Sequence, residues 1–149
     1  MFVDSGYDHN KVTGIFITGL FLVVGSTSTT WSSKLHNVVQ TSTFRSKFTA
    51  LKNNVKESVI IWYHLRSMDI KVSKHTHMFV DNMSVVLNAK NPGVAMNKKT
   101  VALSYHFVRY HVSNIVLEVR KIHTSDNCSD PFTKPLVIKY FHCFTMIVW

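Results

Sequence analysis

Carboxylates hold hard divalent ions and move protons, and this chain has only 8 acidic residues to place. Three of them, Asp4, Asp81 and Asp130, fall where the pattern ends a strand or begins a helix. Taken alone they read as ordinary surface acids, with a shared acidic pocket as the alternative. The 9 histidines raise a second chemistry, metal binding by imidazole, above all at His75-x-His77. No Cys pair and no H-E-x-x-H motif accompanies them, so they read as scattered surface and core imidazoles rather than a dedicated zinc site. Cys128 and Cys143 lack C-x-x-C spacing, which argues against a disulfide or zinc framework and for a reducing compartment. A third chemistry is phosphate binding: Lys98, Lys99, Arg109 and Lys134 read equally as a phosphate-binding strip or as solvated charge. Asn82 and Ser84 can contact a nucleic-acid backbone or cap the helix that begins there. Tyr105 and His106 lie on a patterned helix and read as packing, and Trp31 and Trp62 read as core.

The elements that must position these groups follow from the apolar pattern. Phe2-Val3-Asp4 reads as the end of a strand with the acid at its tip. Thr18 to Val24 is a continuous β-branched-rich run, ended by Gly25-Ser26, and Thr29 to Ser33 reads as its hairpin partner. Ser42 or Thr43 offers an N-cap oxygen. Beyond it Phe44, Phe48, Leu51, Val55, Val59, Trp62 and Leu65 recur at intervals of three and four, one face of a long helix. His77 to Val80 reads as a strand with Asp81 at its C-terminal tip, and Ser84 to Ala89 as a short helix stopped by Asn91-Pro92-Gly93. Val101 to Val112 is helical by pattern, with Leu103, Phe107, Val108 and Val112 apolar. Ile115 to Ile122 alternates as a strand at or near an edge, and Ser129 to Lys134 reads as a last short helix closed by Pro135. Strands first, then helix and strand in alternation, predict an α/β fold around a mixed sheet.

Composition bounds the rest. A chain of 149 residues, 46% hydrophobic, is one domain with enough apolar side chains for a core. Its formal net charge of +9 favours a polyanionic partner, nucleic acid before an anionic membrane surface. The apolar run Ile15 to Val24 is too short to span a bilayer as a helix, and Asp4 and Asp8 before it are wrong for a signal peptide, so no membrane role is expected.

The ordered set Phe2-Val3-Asp4, Val12-Thr13, Thr18-Gly19, Trp31-Ser32-Ser33-Lys34, Ser42-Thr43, Phe48-Thr49-Ala50-Leu51-Lys52, Val80-Asp81-Asn82, Ala89-Lys90-Asn91-Pro92, Lys98-Lys99, Tyr105-His106-Phe107-Val108-Arg109 and Phe132-Thr133-Lys134-Pro135-Leu136 resembles the ribonuclease H domain of copia-type retrotransposon polyproteins. The resemblance covers residues 1–136 and leaves 137–149 as an apolar tail unlike the family. It implies a five-stranded mixed sheet flanked by helices, and cleavage of the RNA strand of RNA–DNA hybrids during reverse transcription. It also implies a reverse transcriptase domain in the same polyprotein and an intracellular location, cytoplasmic or nuclear. Two Mg²⁺ or Mn²⁺ ions, held by four carboxylates, would carry the chemistry. By that resemblance Asp4, Asp81 and Asp130 are catalytic metal ligands, while Asn82, Ser84, Lys98, Lys99, Arg109 and Lys134 face nucleic acid.

The fourth carboxylate should be a Glu one residue before the first large buried aromatic of the long helix. That aromatic is Phe48, and the residue before it is Lys47. Exchanging Glu for Lys moves the local charge by two units and replaces a ligand by a cation that repels a metal. Other departures run the same way: Gly14-Ile15-Phe16-Ile17 stands in place of an Arg-rich polar stretch, and Thr100 in place of a His. Together they predict an impaired copy, a fragment of a decayed element starting at an internal Met. The alternatives are a non-catalytic nucleic-acid-binding remnant and a pseudogene product without a selected role.

Overall fold

The computed structural model of the chain describes residues 1–10, 15–37, 39, 42–72, 75–91 and 99–134. Gly14, Pro92, Gly93, Lys98, Pro135, Cys143 and the tail 137–149 lie outside the described residues.

Among the described residues five strands form one mixed sheet: β1 (Phe2–Asn10), β2 (Ile15–Val24), β3 (Thr27–Leu35), β4 (Thr76–Val80) and β5 (Leu117–Lys121), in the order β3-β2-β1-β4-β5. The first three strands pair antiparallel, whereas β4 runs parallel to both β1 and β5. Gly25, with φ +65°, makes the tight turn between β2 and β3, a conformation that costs a residue with a Cβ. Three helices, α1 (Thr43–Ser67), α2 (Met83–Lys90) and α3 (Lys99–Ser113), complete the α/β fold, an architecture compatible with a ribonuclease H-like domain.

The helices share one core with the sheet. Val3, Leu20, Met78, Val80, Leu117 and Val119 meet Phe48, Leu51 and Val55 of α1, Val85 and Ala89 of α2, and Tyr105 and Val108 of α3. Phe48 stacks on Tyr105 with ring centroids 3.9 Å apart, fixing the first half of α1 against α3. Three polar residues, Ser46, Asn54 and Ser58, are buried beside the apolar stripe of α1. Among the described residues no helix is long and apolar enough to cross a membrane.

Several expectations change. β1 does not end at Asp4: its pairing with β2 continues through Asp4↔Gly19, Ser5↔Thr18 and Gly6↔Ile17. The apolar Ile15-Phe16-Ile17 lengthens β2 in the same way, with Phe16 fully buried. Leu103 is 77% exposed, because it lies two residues, about 200° of helical turn, from buried Tyr105. Trp31 is 61% exposed at the margin of the sheet, since β3 is an edge strand. The short helix expected over Ser129 to Lys134 is a single 3-10 turn, Asp130–Phe132, preceded by another at Thr124–Asp126.

Candidate acidic pocket

Strand pairing creates the pocket. β4 pairs with β1 only through Phe2↔Phe79 and Val3↔Val80, then ends, whereas β1 runs on. Asp81 follows the last residue of β4 and Asp4 follows the last residue of β1 that pairs with β4, so the two acids flank the fork. Helix α1 brings Lys47 to it. Ser42 caps α1 by accepting a hydrogen bond from the Arg45 N–H, and buried Ser46, 3.2 Å from the Ser5 hydroxyl, ties the first turn to β1.

The Lys47 ammonium donates to both oxygens of Asp81, at 2.5 and 2.6 Å, and stands 3.3 Å from Asp4 Oδ1. All three side chains are largely buried, at 18% exposure for Lys47, 8% for Asp81 and 3% for Asp4. Burial disfavours the ammonium, but the Asp4 and Asp81 charges outweigh it and hold the Lys47 pKa above its ordinary value. Burial likewise pushes the Asp4 carboxyl up, yet Lys47 and the hydrogen bond from Thr133 prevail and keep it low.

Asp130 arrives from the opposite direction. Neither Gly6 nor Gly19 has a Cβ, so the turn through residues 129–133 lies directly on the backbones of β1 and β2. A methyl on Gly19 would stand 2.7 Å from Ser129 O. Asn127 Nδ2 donates to Val3 O, while the Asn127 side-chain oxygen accepts from the Ser129 hydroxyl and N–H. Thr133 Oγ1 then donates to Asp4 Oδ2 at 2.6 Å, and Lys134 pairs with Asp130 Oδ2 at 2.7 Å. Burial lifts Asp130 to about 6; the Lys134 ion pair opposes this, and the neighbouring Asp4 charge adds to it. Asp4 Oδ1, 3.3 Å from the Lys47 ammonium, and Asp130 Oδ1 are buried without a hydrogen-bond partner among the described residues.

The three aspartates and Lys47 are thus drawn around one fork in the sheet. Thr133 and Asn127 hold that arrangement but did not stand out in the sequence. Thr133 sits inside the Phe132–Leu136 motif, the one signal that marked it.

The described residues expected to face nucleic acid have structural partners or positions of their own. Asn82 caps α2, its side-chain oxygen accepting from the Val85 N–H, and Ser84 lies exposed in the first turn rather than at the cap. Arg109 Nε donates to Asn88 O, and its guanidinium lies 5.6 Å from the centre of the Tyr105 ring, joining α3 to α2. Lys134 is engaged by Asp130. Lys99 opens α3, its side chain outside the described residues, as is all of Lys98. Tyr105 packs in the core as its pattern implies, whereas His106 is exposed.

A pair of Mg²⁺ ions does not fit this pocket as it stands. A divalent ion would need the Asp81 oxygens that the Lys47 ammonium already takes, and the positive charge repels it. Another set of side chains that could hold a metal ion lies at the other end of β4, where ligand atoms of His75, His77 and Glu118 all lie within 4.8 Å of one another.

No protein-family model matches the chain. It is similar to the retrovirus-related Pol polyprotein from transposon RE1 of Arabidopsis thaliana, 26% identical over 141 residues, 95% of this chain and 10% of that protein. It is also similar to the retrovirus-related Pol polyprotein from transposon RE2 of the same plant, 29% identical over 127 residues, 85% of this chain and 9% of that protein. The corresponding polyprotein from transposon TNT 1-94 of Nicotiana tabacum is 26% identical over 117 residues, 78% of this chain and 9% of that protein. The chain therefore spans about a tenth of the length of these relatives and aligns with them over most of its own.

Proposed function

We propose that the chain is a ribonuclease H-like region of a copia-type retrotransposon polyprotein whose acidic pocket is blocked by its own lysine, so that it does not cut RNA–DNA hybrids. The observation that carries this reading is the Lys47 ammonium between Asp81 and Asp4, where the family's chemistry needs a metal ion. An internal cation neutralises the buried carboxylates as an ion would, but it can neither activate a water nor stabilise a leaving oxygen as a Lewis acid. The similarity to transposon Pol polyproteins supports the polyprotein context.

The test is cleavage of a labelled RNA–DNA hybrid in Mg²⁺ or Mn²⁺ by the native chain and by Lys47→Glu, with the thermal melt of each followed against Mg²⁺. The native chain is expected to show no metal-dependent cleavage and no Mg²⁺-induced rise in Tm. Lys47→Glu is expected to gain both, since four carboxylates without a cation are relieved by metal. Cleavage by the native chain would overturn the reading. A second reading, a non-catalytic nucleic-acid-binding remnant, draws on the net charge of +9.

A further inference from the structure

The parallel register of β4 and β5 puts His77 opposite Glu118, with Phe79 opposite Arg120 two residues on. Residues two apart on a strand share a face, so Arg120 stands beside Glu118 and His75 beside His77. The two imidazoles meet edge to face with centroids 4.8 Å apart. One carboxylate oxygen, Glu118 Oε2, lies 3.2 Å from His75 Nε2, 3.3 Å from His77 Nδ1 and 2.8 Å from the Arg120 guanidinium. His77 Nδ1 is buried, and among the described residues no hydrogen bond satisfies it.

We propose that His75, His77 and Glu118 form a binding site for a borderline divalent ion of the Zn²⁺ type. Ligands 2.0–2.1 Å from a tetrahedral zinc are separated by about 3.3–3.4 Å, close to the two His–Glu spacings observed. Both histidines need only close on a metal they already face, since all three ligand atoms lie within 4.8 Å of one another. Two imidazoles and one carboxylate suit Zn²⁺, Ni²⁺ or Cu²⁺ and not Mg²⁺ or Ca²⁺, which take oxygen ligands. The three side chains are 33–37% exposed, so an ion can enter and a fourth, open position remains for water. The site is separate from the acidic pocket: His77 and Asp81 lie four residues apart along β4, about 13 Å at the rise of a strand. Arg120 competes with the metal, because its guanidinium holds the same Glu118 oxygen.

That competition makes the site testable beyond ordinary histidine binding. Equilibrium dialysis with Zn²⁺ alone, and visible absorption with Co²⁺ alone, would be run on the full chain and on four variants. The native chain is expected to take up one equivalent, with the Co²⁺ bands of a tetrahedral N₂O-type site. Glu118→Gln and the double variant His75→Ala/His77→Ala should bind roughly tenfold or more weakly, and Arg120→Ala more tightly, because Glu118 is freed. His106→Ala, an exposed histidine elsewhere, should match the native chain. Equal affinity and stoichiometry in the native chain and Glu118→Gln would overturn the site, as would retained binding in the double variant. Glu118→Gln removes no buried apolar group, so it remains informative if the double variant does not fold.

Discussion

Lys47 turns an acidic pocket into a self-neutralised one, and the consequence can be read as stability. With Lys47 gone, burial would push the Asp4 carboxyl up, opposed by the Thr133 and Ser5 hydrogen bonds and the Lys134 charge but no longer by the Lys47 ammonium. Lys47→Met is therefore expected to lose about 2–4 kcal/mol at pH 7, as when one partner of a buried pair is removed. The deficit should shrink in urea titrations near pH 4, where Asp4 can take a proton. Asp130 behaves in the opposite sense. Its folded pKa of about 6 lies above the unfolded value of 3.8, so the native state binds the proton more tightly. Its contribution is fully present at low pH and is lost as pH rises through about 6. Asp130→Asn should therefore be more stable than the native chain at pH 8, by on the order of 1 kcal/mol after allowance for solvent screening and the lost Lys134 pair. No such gain is expected near pH 3, below both the unfolded and the folded pKa. A gain of equal size at both pH values would contradict the raised pKa.

At the scale of elements, the pocket depends on two flat places in the sheet. Gly6 and Gly19 let the turn through residues 129–133 approach closely enough for Thr133 to reach Asp4 and for Asp130 to lie beside it. Gly19→Ala would force the backbone at Ser129 to move, since the new methyl would stand 2.7 Å from its carbonyl oxygen. A loss of roughly 1–3 kcal/mol is expected, as for overpacking in a tight core. Hydrogen exchange should localise the disturbance to residues 127–133 and leave α1 and α3 protected. Loss of protection throughout the chain instead would mean that this turn is integral to the core. Helix α1 is anchored independently, by its Ser42 cap and the Phe48–Tyr105 stack, which is why Lys47 should hold its place when the turn shifts.

At the scale of the molecule, the charge distribution separates holding nucleic acid from cutting it. Asp4, Asp81 and Asp130 are drawn inward and paired with Lys47 and Lys134, while the chain as a whole keeps a net charge of +9. If this basic balance serves hybrid binding, affinity should fall by roughly tenfold or more between about 50 and 200 mM salt, as released counterions require. Fluorescence anisotropy with a labelled hybrid reads this directly. Affinity that is absent or independent of salt would remove the nucleic-acid reading and leave a product without a selected role.

The sequence by itself determined the elements and their order. Local pattern suffices for these: the three- and four-residue spacing from Phe44 to Leu65 specifies α1, and the apolar run ending at Gly25 specifies the β2–β3 hairpin. It also marked Asp4, Asp81, Asp130 and Lys47, because ordered motifs carry positional information along a chain. The tertiary structure alone decided what those groups touch. Whether Lys47 meets one aspartate or two depends on where β4 stops pairing with β1, and the approach of Asp130 depends on two glycines more than 110 residues earlier in the chain. Likewise His75-x-His77 lacked a third ligand until parallel pairing placed Glu118, 41 residues beyond His77, at its side. Contacts between distant segments are set by sheet register and burial, and no local spacing encodes them.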